Sequence, residues 1–226
     1  YAVVANGVGF DFVQSVMIVS GTLTLFISAF FLIRQHNVKR MFAYHSVAHM
    51  GVIAFGLGVG GAIGIFAALF HCAAHSFTKS LAFCSTGNIA RIYGTKDMTK
   101  MGNMIRIAPL TAVLFGIAIC SLVGVPGFAI FVSEFLIFKA AAVDGSYILM
   151  GIFAVALAII FIADFSHFFL AAFGKVEGKV EHNGEMKLSE NLPLILLATL
   201  VVVFGIWQFD SFTFLLDESV KNIVKQ

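Results

Sequence analysis

Long apolar runs alternate with short polar segments along this chain. Six of the runs are long enough to cross the roughly 30 Å hydrocarbon core of a bilayer as helices, and strands do not fit runs of this length. We therefore predict an all-α integral membrane protein, a bundle of about six transmembrane helices that forms a single transmembrane domain over residues 1–226. The predicted spans are 12–33, 38–59, 62–91, 108–141, 147–173 and 191–214.

One predicted span carries a helix-breaking sequence. The fourth span contains GVPGFA, in which Pro126 lacks a backbone donor and Gly127 allows the chain to unwind. Freed backbone groups within a membrane must be satisfied by protein or by a water-filled cavity. We predict a broken helix here, which unwinds near Val125 to Gly127.

Composition supports a membrane protein and argues against a water-soluble domain, a nucleic-acid-binding protein and a cysteine-based site. Sixty per cent of the residues are hydrophobic and 12% are charged, a balance that excludes an ordinary water-soluble domain. The net charge of +2 is too small to indicate nucleic-acid binding. The chain opens with YAVVANGVGF, without an initiator Met or a basic segment, so we expect an interior cut of a longer protein. The cysteines form no CxxC pair, so no disulfide framework or metal site is predicted at Cys72, Cys84 and Cys120.

The charged residues of the loops predict an orientation. Following the chain through six spans places most basic residues on one side, which the positive-inside rule assigns to the cytoplasm of an inner membrane. Both ends of the chain then lie on the outer face. The basic residues on the cytoplasmic side are Arg34, Lys39, Arg40, Arg91, Lys96, Lys100, Arg106, Lys175, Lys179 and Lys187, and the other side holds Asp11, Asp144, Asp217 and Glu218 with Lys221 and Lys225.

The stretch HCAAHSFTKS places three ionisable residues inside an apolar run. His71, His75 and Lys79 are spaced at i, i+4 and i+8, so a helix aligns them on one stripe. Burial disfavours the charged forms of these groups, and a row of such groups is what proton relay requires. The alternative is a structural polar seam, in which the imidazoles bond neighbouring backbone and Lys79 extends toward the interface.

The second span adds a further histidine pair. His45 and His49 in AYHSVAHMG lie one turn apart, with His49 near the middle of the span. Taken alone, this pair is better explained by polar helix packing than by chemistry.

Two carboxylates also lie within predicted spans. Glu134 follows the predicted break by two turns and requires a cation, a proton or water beside it. Simple pairing with Lys139 or Lys79 is the alternative. Asp164 shares a face with His167 near the cytoplasmic end of the fifth span, so we rank this pair below the other candidates.

Three segments together resemble a known family. NVKRMFAYHSVAHMG, HCAAHSFTKSLAFCSTGNI and GVPGFAIFVSEFLIFKA, in this order, resemble the C-terminal half of the antiporter-like membrane subunits of complex I, Mrp antiporters and membrane-bound hydrogenases, especially hydrogenase-4 component F. The resemblance implies the second half of an inverted-repeat antiporter-like fold. It also implies proton translocation within a multisubunit redox complex, with other membrane subunits as partners and no cofactor in this chain.

The resemblance also implies roles for individual residues. Lys79 is the expected hub of a midplane row of water-linked groups, preceded by His71 and His75. His49 matches the family's SHMG-type segment, and Glu134 is the expected outer gate residue. Some relatives carry Lys in place of this Glu. His45 departs from the Ser or Thr of many relatives, which leaves its role open.

Two other functions compete with proton translocation. A haem carrier would use histidines on facing helices, but Lys79 places a competing charge on the same stripe. A sodium/proton antiporter of the Mrp type is the stronger alternative, although Na⁺ prefers several hard oxygen ligands. Near mid-membrane the sequence offers mainly Glu134, Ser133 and backbone carbonyls.

Overall fold

The computed structural model describes residues 1–178, 180–181 and 184–224, and within these ranges the regular structure is helical apart from one isolated bridge between Asn37 and Asp97. A short 3₁₀ turn occupies Met98–Lys100. The α-helices are α1 (Ala2–Val8), α2 (Phe10–Ile33), α3 (Val38–Val59), α4 (Gly61–Tyr93), α5 (Met104–Ile107), α6 (Pro109–Leu122), α7 (Ala129–Val143), α8 (Tyr147–Phe173), α9 (Leu188–Ile206) and α10 (Asp210–Val224).

Five helices are long and apolar enough to cross a membrane. These are α2, α3, α4, α8 and α9, with 24, 22, 33, 27 and 19 residues. The all-α membrane fold is therefore confirmed. The longest of them, α4, is continuous, so the row of His71, His75 and Lys79 lies on one uninterrupted helix.

A pair of short helices supplies the interrupted span. α6 and α7 have 14 and 15 residues, and each alone is shorter than the roughly 20 residues that a crossing requires. The chain leaves helical conformation between Leu122 and Ala129, the interval that contains Pro126 and Gly127. Gly124 turns the chain with φ 69°, and the Val125 amide donates to the Cys120 carbonyl at 3.0 Å. The turn thus satisfies part of the backbone that the break releases.

The predicted last span, 191–214, is wrong at its C-terminal end. The helix ends at Ile206, and residues 207–209 separate it from α10. α10 carries Asp210, Asp217, Glu218 and Lys221, so it is too charged to continue a hydrocarbon-crossing helix. It packs instead against α4 and α9, where Phe212 contacts Phe70 and Phe204 with ring centroids 6.1 and 5.3 Å apart.

Close helix packing brings the core helices together. At Gly21 of α2 an added β-carbon would collide with the backbone of Gly51 and Phe55 on α3, so only hydrogen fits there. Small residues allow such approach in membranes, where helices gain little from further hydrophobic burial.

The loops at one end of the bundle are tied to one another. The Val38 amide donates to the Lys96 carbonyl at 2.9 Å, and the Asn103 amide donates to the Gly174 carbonyl at 2.8 Å. These loops contain most of the basic residues used to predict orientation, and we call this end the basic end. Lys179 and Lys225, which entered that prediction, lie outside the described residues.

Candidate functional site

The two histidine pairs meet in one cluster, of which His45, His49 and His71 are buried and His75 is partly exposed. The His49 ring lies 4.8 Å from His45, 5.0 Å from His71 and 4.8 Å from His75 between centroids. One-turn spacing on both α3 and α4 produces this arrangement, because it aligns each pair along a facing stripe. His49 is therefore the geometric centre of the four imidazoles, which we call the histidine array.

Hydrogen bonds extend the array to α7. His49 Nδ1 lies 2.8 Å from His71 Nε2, and His71 Nδ1 lies 2.8 Å from Ser133 Oγ. The Ser133 hydroxyl donates to the Ile130 carbonyl at 2.7 Å, so its oxygen accepts from His71. Neutral His71 then accepts from His49 through Nε2. The bonds assign one consistent direction of donation from α3 to α7.

The other end of the array is a carboxylate that sequence analysis ranked low. Asp164 Oδ2 contacts His45 Nε2 directly, and the Asp164 side chain has no solvent exposure. The low rank rested on the position of Asp164 near the end of a span, and the structure shows instead that the residue is fully buried. The residue lies on the inner face of α8, whereas neighbouring His167 bonds the Leu32 carbonyl on α2 at 3.0 Å.

Lys79 is buried beside the array. Its Nζ donates to the Phe42 carbonyl at 2.8 Å and lies 5.4 Å from the centre of the Phe42 ring. This aromatic face attracts a cation. With 7% of the residue exposed, Lys79 does not extend to the interface, so the alternative of a snorkelling lysine does not hold. It forms no salt bridge within the described residues.

Glu134 borders the histidine array from α7, whereas Asp164 contacts it from α8. Glu134 is 6% exposed and pairs with neither Lys79 nor Lys139 in the described part of the chain. A narrow cavity of about 10 Å³ is lined by Glu134, His45 and His49. The Glu134 carboxylate also lies so close to Gly124 that a β-carbon there would collide with it.

A larger cleft opens on the other side of Glu134. Its volume is about 610 Å³, and it lies between α7, α8 and the turn after α6. Apart from Glu134 the lining is almost entirely apolar, including Phe131, Phe138, Leu157 and Phe161. Glu134 thus separates the interior cavity from a cleft that opens at the side of the bundle.

Several buried polar atoms of the site have no hydrogen-bond partner among the described residues. They include His45 Nδ1, His49 Nε2, His75 Nε2 and Asp164 Oδ1. Buried polar groups in proteins are usually satisfied by protein or ordered water. These atoms are therefore candidates for water-mediated links within the site.

The structure brings together all six candidate residues and adds three others. Lys79, Glu134, His71, His75, His49 and His45 all lie in or beside one region where α3, α4 and α7 meet. Asp164, Ser133 and Gly124 complete it. The signal for Asp164 was present, since an acid within an apolar span is a functional candidate by default. Ser133 and Gly124 carry no comparable signal, because their roles depend on which helix faces them.

The bundle and its array define a multi-pass membrane protein with protonatable groups in its interior. Residues 4–160 match the family described as NADH:quinone oxidoreductase/Mrp antiporter, transmembrane. The match covers more than half of the chain, which therefore belongs to this family, as an antiporter-like membrane subunit.

Curated relatives and solved structures agree with this membership. The chain is 28% identical over 195 residues to a Na(+)/H(+) antiporter subunit of Alkalihalophilus pseudofirmus, covering 86% of this chain and 39% of that protein. It is 33% identical over 121 residues to the hydrogenase-4 component F homolog of Methylacidiphilum infernorum, covering 54% and 25%. A chain of respiratory complex I from Thermus thermophilus superposes with a TM-score of 0.82 at 23% identity, covering 96% of this chain and 46% of the other. Our chain spans less than half the length of each.

Proposed function

We propose that the protein translocates protons across the membrane as a non-redox, antiporter-like subunit of a redox-driven complex. The observation that supports this most is the series of side-chain contacts that runs from Asp164 to Ser133, next to Glu134. His45 stacks on His49 with ring centroids 4.8 Å apart, and the other links, through His71, are at hydrogen-bond distance. An imidazole accepts a proton on one nitrogen and releases it from the other, and a water between the two stacked rings would complete the path. Protons can therefore pass along such a series from one side chain to the next without a bound cofactor.

Glu134 is the exit residue of this path. The cavity between Glu134 and the array has about 10 Å³, the lower limit of volume that holds one water. A water there links His49 Nε2, which has no described partner, to the carboxylate. Glu134 then passes the proton to the outer side through the region opened by the helix break.

Lys79 supplies the switchable positive charge of the path. Its ammonium is held by the Phe42 carbonyl and two aromatic faces rather than by a salt bridge. Because no salt bridge among the described residues fixes this charge, the protonation state of Lys79 depends on the charges around it.

The setting of the protein follows from the same proposal. The basic end faces the cytoplasm of an inner membrane, and Tyr1 and α10 lie on the outer side. The partners are other membrane subunits, and we assign no cofactor to this chain. The relatives that support these assignments are components of an antiporter and a hydrogenase by name.

Sodium/proton exchange is the second candidate function. The similarity to a component of a Na(+)/H(+) antiporter favours it. Against it, Ser133 Oγ is already bonded to His71 and to the Ile130 carbonyl, which leaves few oxygens to join Glu134 around Na⁺. Proton flux that requires Na⁺ in the intact complex would reverse the order of the two candidates.

The test is a comparison of Glu134 variants in vesicles that contain the intact complex. Glu134→Gln keeps the shape and hydrogen bonds but cannot ionise, so we expect proton flux per electron to be lost. Glu134→Asp should retain part of the flux, and Asp144→Asn on an exposed turn is the matched control with normal flux. Equal flux from wild type, Gln and Asp would show that Glu134 is only structural, and exposed Lys139 would be the next exit candidate.

A further inference from the structure

We propose that Asp164 is the shared counter-ion of Lys79 and His45, so that these two groups carry a single positive charge between them. This proposal rests on the proposed function and deepens it. Asp164 would couple the two groups: a proton that arrives at His45 would favour the release of a proton from Lys79.

One buried carboxylate lies near two potential cations. Asp164 binds His45 on α3 directly, and its charge acts on Lys79 on α4, with which it forms no salt bridge. Lys79 in turn donates to the carbonyl of Phe42, which precedes His45 by one turn of α3. Lys79 and His45 therefore approach the same carboxylate from adjacent positions.

Charge balance allows Asp164 to compensate only one of the two cations, Lys79 or His45, at a time. Asp164 and Glu134 are the buried acids of the described residues, and Glu134 lies on α7 after the helix break, where it forms no salt bridge with a described residue. In an apolar interior one carboxylate compensates one cation well, whereas a second, uncompensated cation is strongly disfavoured. When His45 is protonated on Nδ1, Lys79 loses its share of the counter-charge, and its proton becomes easier to release.

The contact also orients His45. Because Nε2–H donates to Asp164, the Nδ1 lone pair of neutral His45 is the atom that accepts an incoming proton. That atom has no described partner, so it is free to accept. Asp164 is thus a positioning residue as well as a counter-ion.

The two roles are separable by substitution. Asn at position 164 still accepts the hydrogen bond from His45 but carries no charge, whereas Glu retains the charge on a longer side chain. In vesicles containing the intact complex, we expect Asp164→Asn to reduce proton flux per electron at least tenfold and Asp164→Glu to restore part of it. Replacement of neighbouring His167, which bonds α2 instead, by Gln should leave the flux unchanged.

The outcomes distinguish this proposal from the proposed function. Normal flux in Asp164→Asn, together with loss in Glu134→Gln, would overturn the shared counter-ion while leaving proton translocation intact. Normal flux in both variants would overturn both. If Asp164→Asn fails to copurify with its partners, Asp164→Glu tests the same claim, because it retains the charge that the proposal requires. Flux retained in assembled Asp164→Glu supports the proposal, and a loss of tenfold or more overturns it.

Discussion

The two buried carboxylates of this bundle lie in opposite environments. Asp164 projects from a continuous helix, contacts an imidazole and lies in the field of a lysine. Glu134 projects from a helix that begins just after a break, contacts no cation in the described residues and separates a small cavity from a large cleft. A paired carboxylate stores charge, whereas an unpaired one at an opening is placed to exchange a proton. The comparison assigns compensation to the region around Asp164 and release to the region around Glu134.

The largest effect on proton flux is expected in the region around Asp164, the carboxylate that contacts a cation. Lys79→Ala removes one of the cations that Asp164 compensates, and we expect proton flux to be nearly abolished while the complex still assembles. Assembly should persist because the Lys79 ammonium bonds a carbonyl that is already part of α3. Flux in reconstituted vesicles and copurification of the other subunits measure the two effects, and near-normal flux would remove Lys79 from the path.

The second prediction breaks the link between the regions. Ser133→Ala removes the hydroxyl that accepts from His71, one residue before Glu134. We expect flux to fall about tenfold, which corresponds to about 1.4 kcal/mol in the barrier. Ser76→Ala on the exposed side of α4 is the matched control, since its hydroxyl bonds only its own helix. Similar flux in the two variants would argue against a route through Ser133.

Much of the fold could be predicted from sequence, but less of the site. The lengths of the apolar runs predicted α2, α3, α4, α8 and α9, and the Pro126 and Gly127 pair predicted the break. Both signals depend on the local sequence alone. The end of the last span was missed because its apolar residues Phe212, Phe214 and Leu215 belong to an amphipathic helix that packs beside the bundle. Helical spacing predicted the rows on α3 and α4 individually.

Contacts between helices were harder to predict. Position near the end of a span gave Asp164 a low rank, but the rotation of α8 about its axis buries it against His45. The central position of His49 among the four imidazoles likewise depends on how α3 faces α4. Spacing within one helix does not contain this information.

A third prediction concerns the region around Glu134, the carboxylate that contacts no cation among the described residues. Gly124→Ala places a β-carbon against the Glu134 carboxylate and forces a non-glycine residue to φ 69°. We expect a loss of about 1–3 kcal/mol in stability from the backbone alone, with a partial loss of flux as Glu134 is displaced. Thermal unfolding of the purified complex measures the first effect. Gly87→Ala, which meets no neighbour within 4 Å, is the control. Equal melting temperatures would contradict the close approach.

The smallest effect is expected outside both regions. Arg91 and Glu190 form an ion pair at 2.6 Å near the basic end, where both side chains reach solvent. Exposed pairs contribute little because water and salt screen them. Arg91→Gln should therefore leave flux and assembly unchanged. The proposed path runs between Asp164 and Glu134 and does not include this ion pair. A marked loss of flux in Arg91→Gln would contradict that.

The most direct test targets His49, the imidazole that connects the two carboxylate regions. His49→Gln keeps a polar side chain of similar reach but cannot carry a proton between His45 and His71. The measurement is proton flux per electron in vesicles containing the intact complex, with redox turnover recorded in parallel. Our account predicts that flux is lost while the complex remains assembled and His167→Gln pumps normally. Normal flux in assembled His49→Gln would contradict conduction through the histidine array.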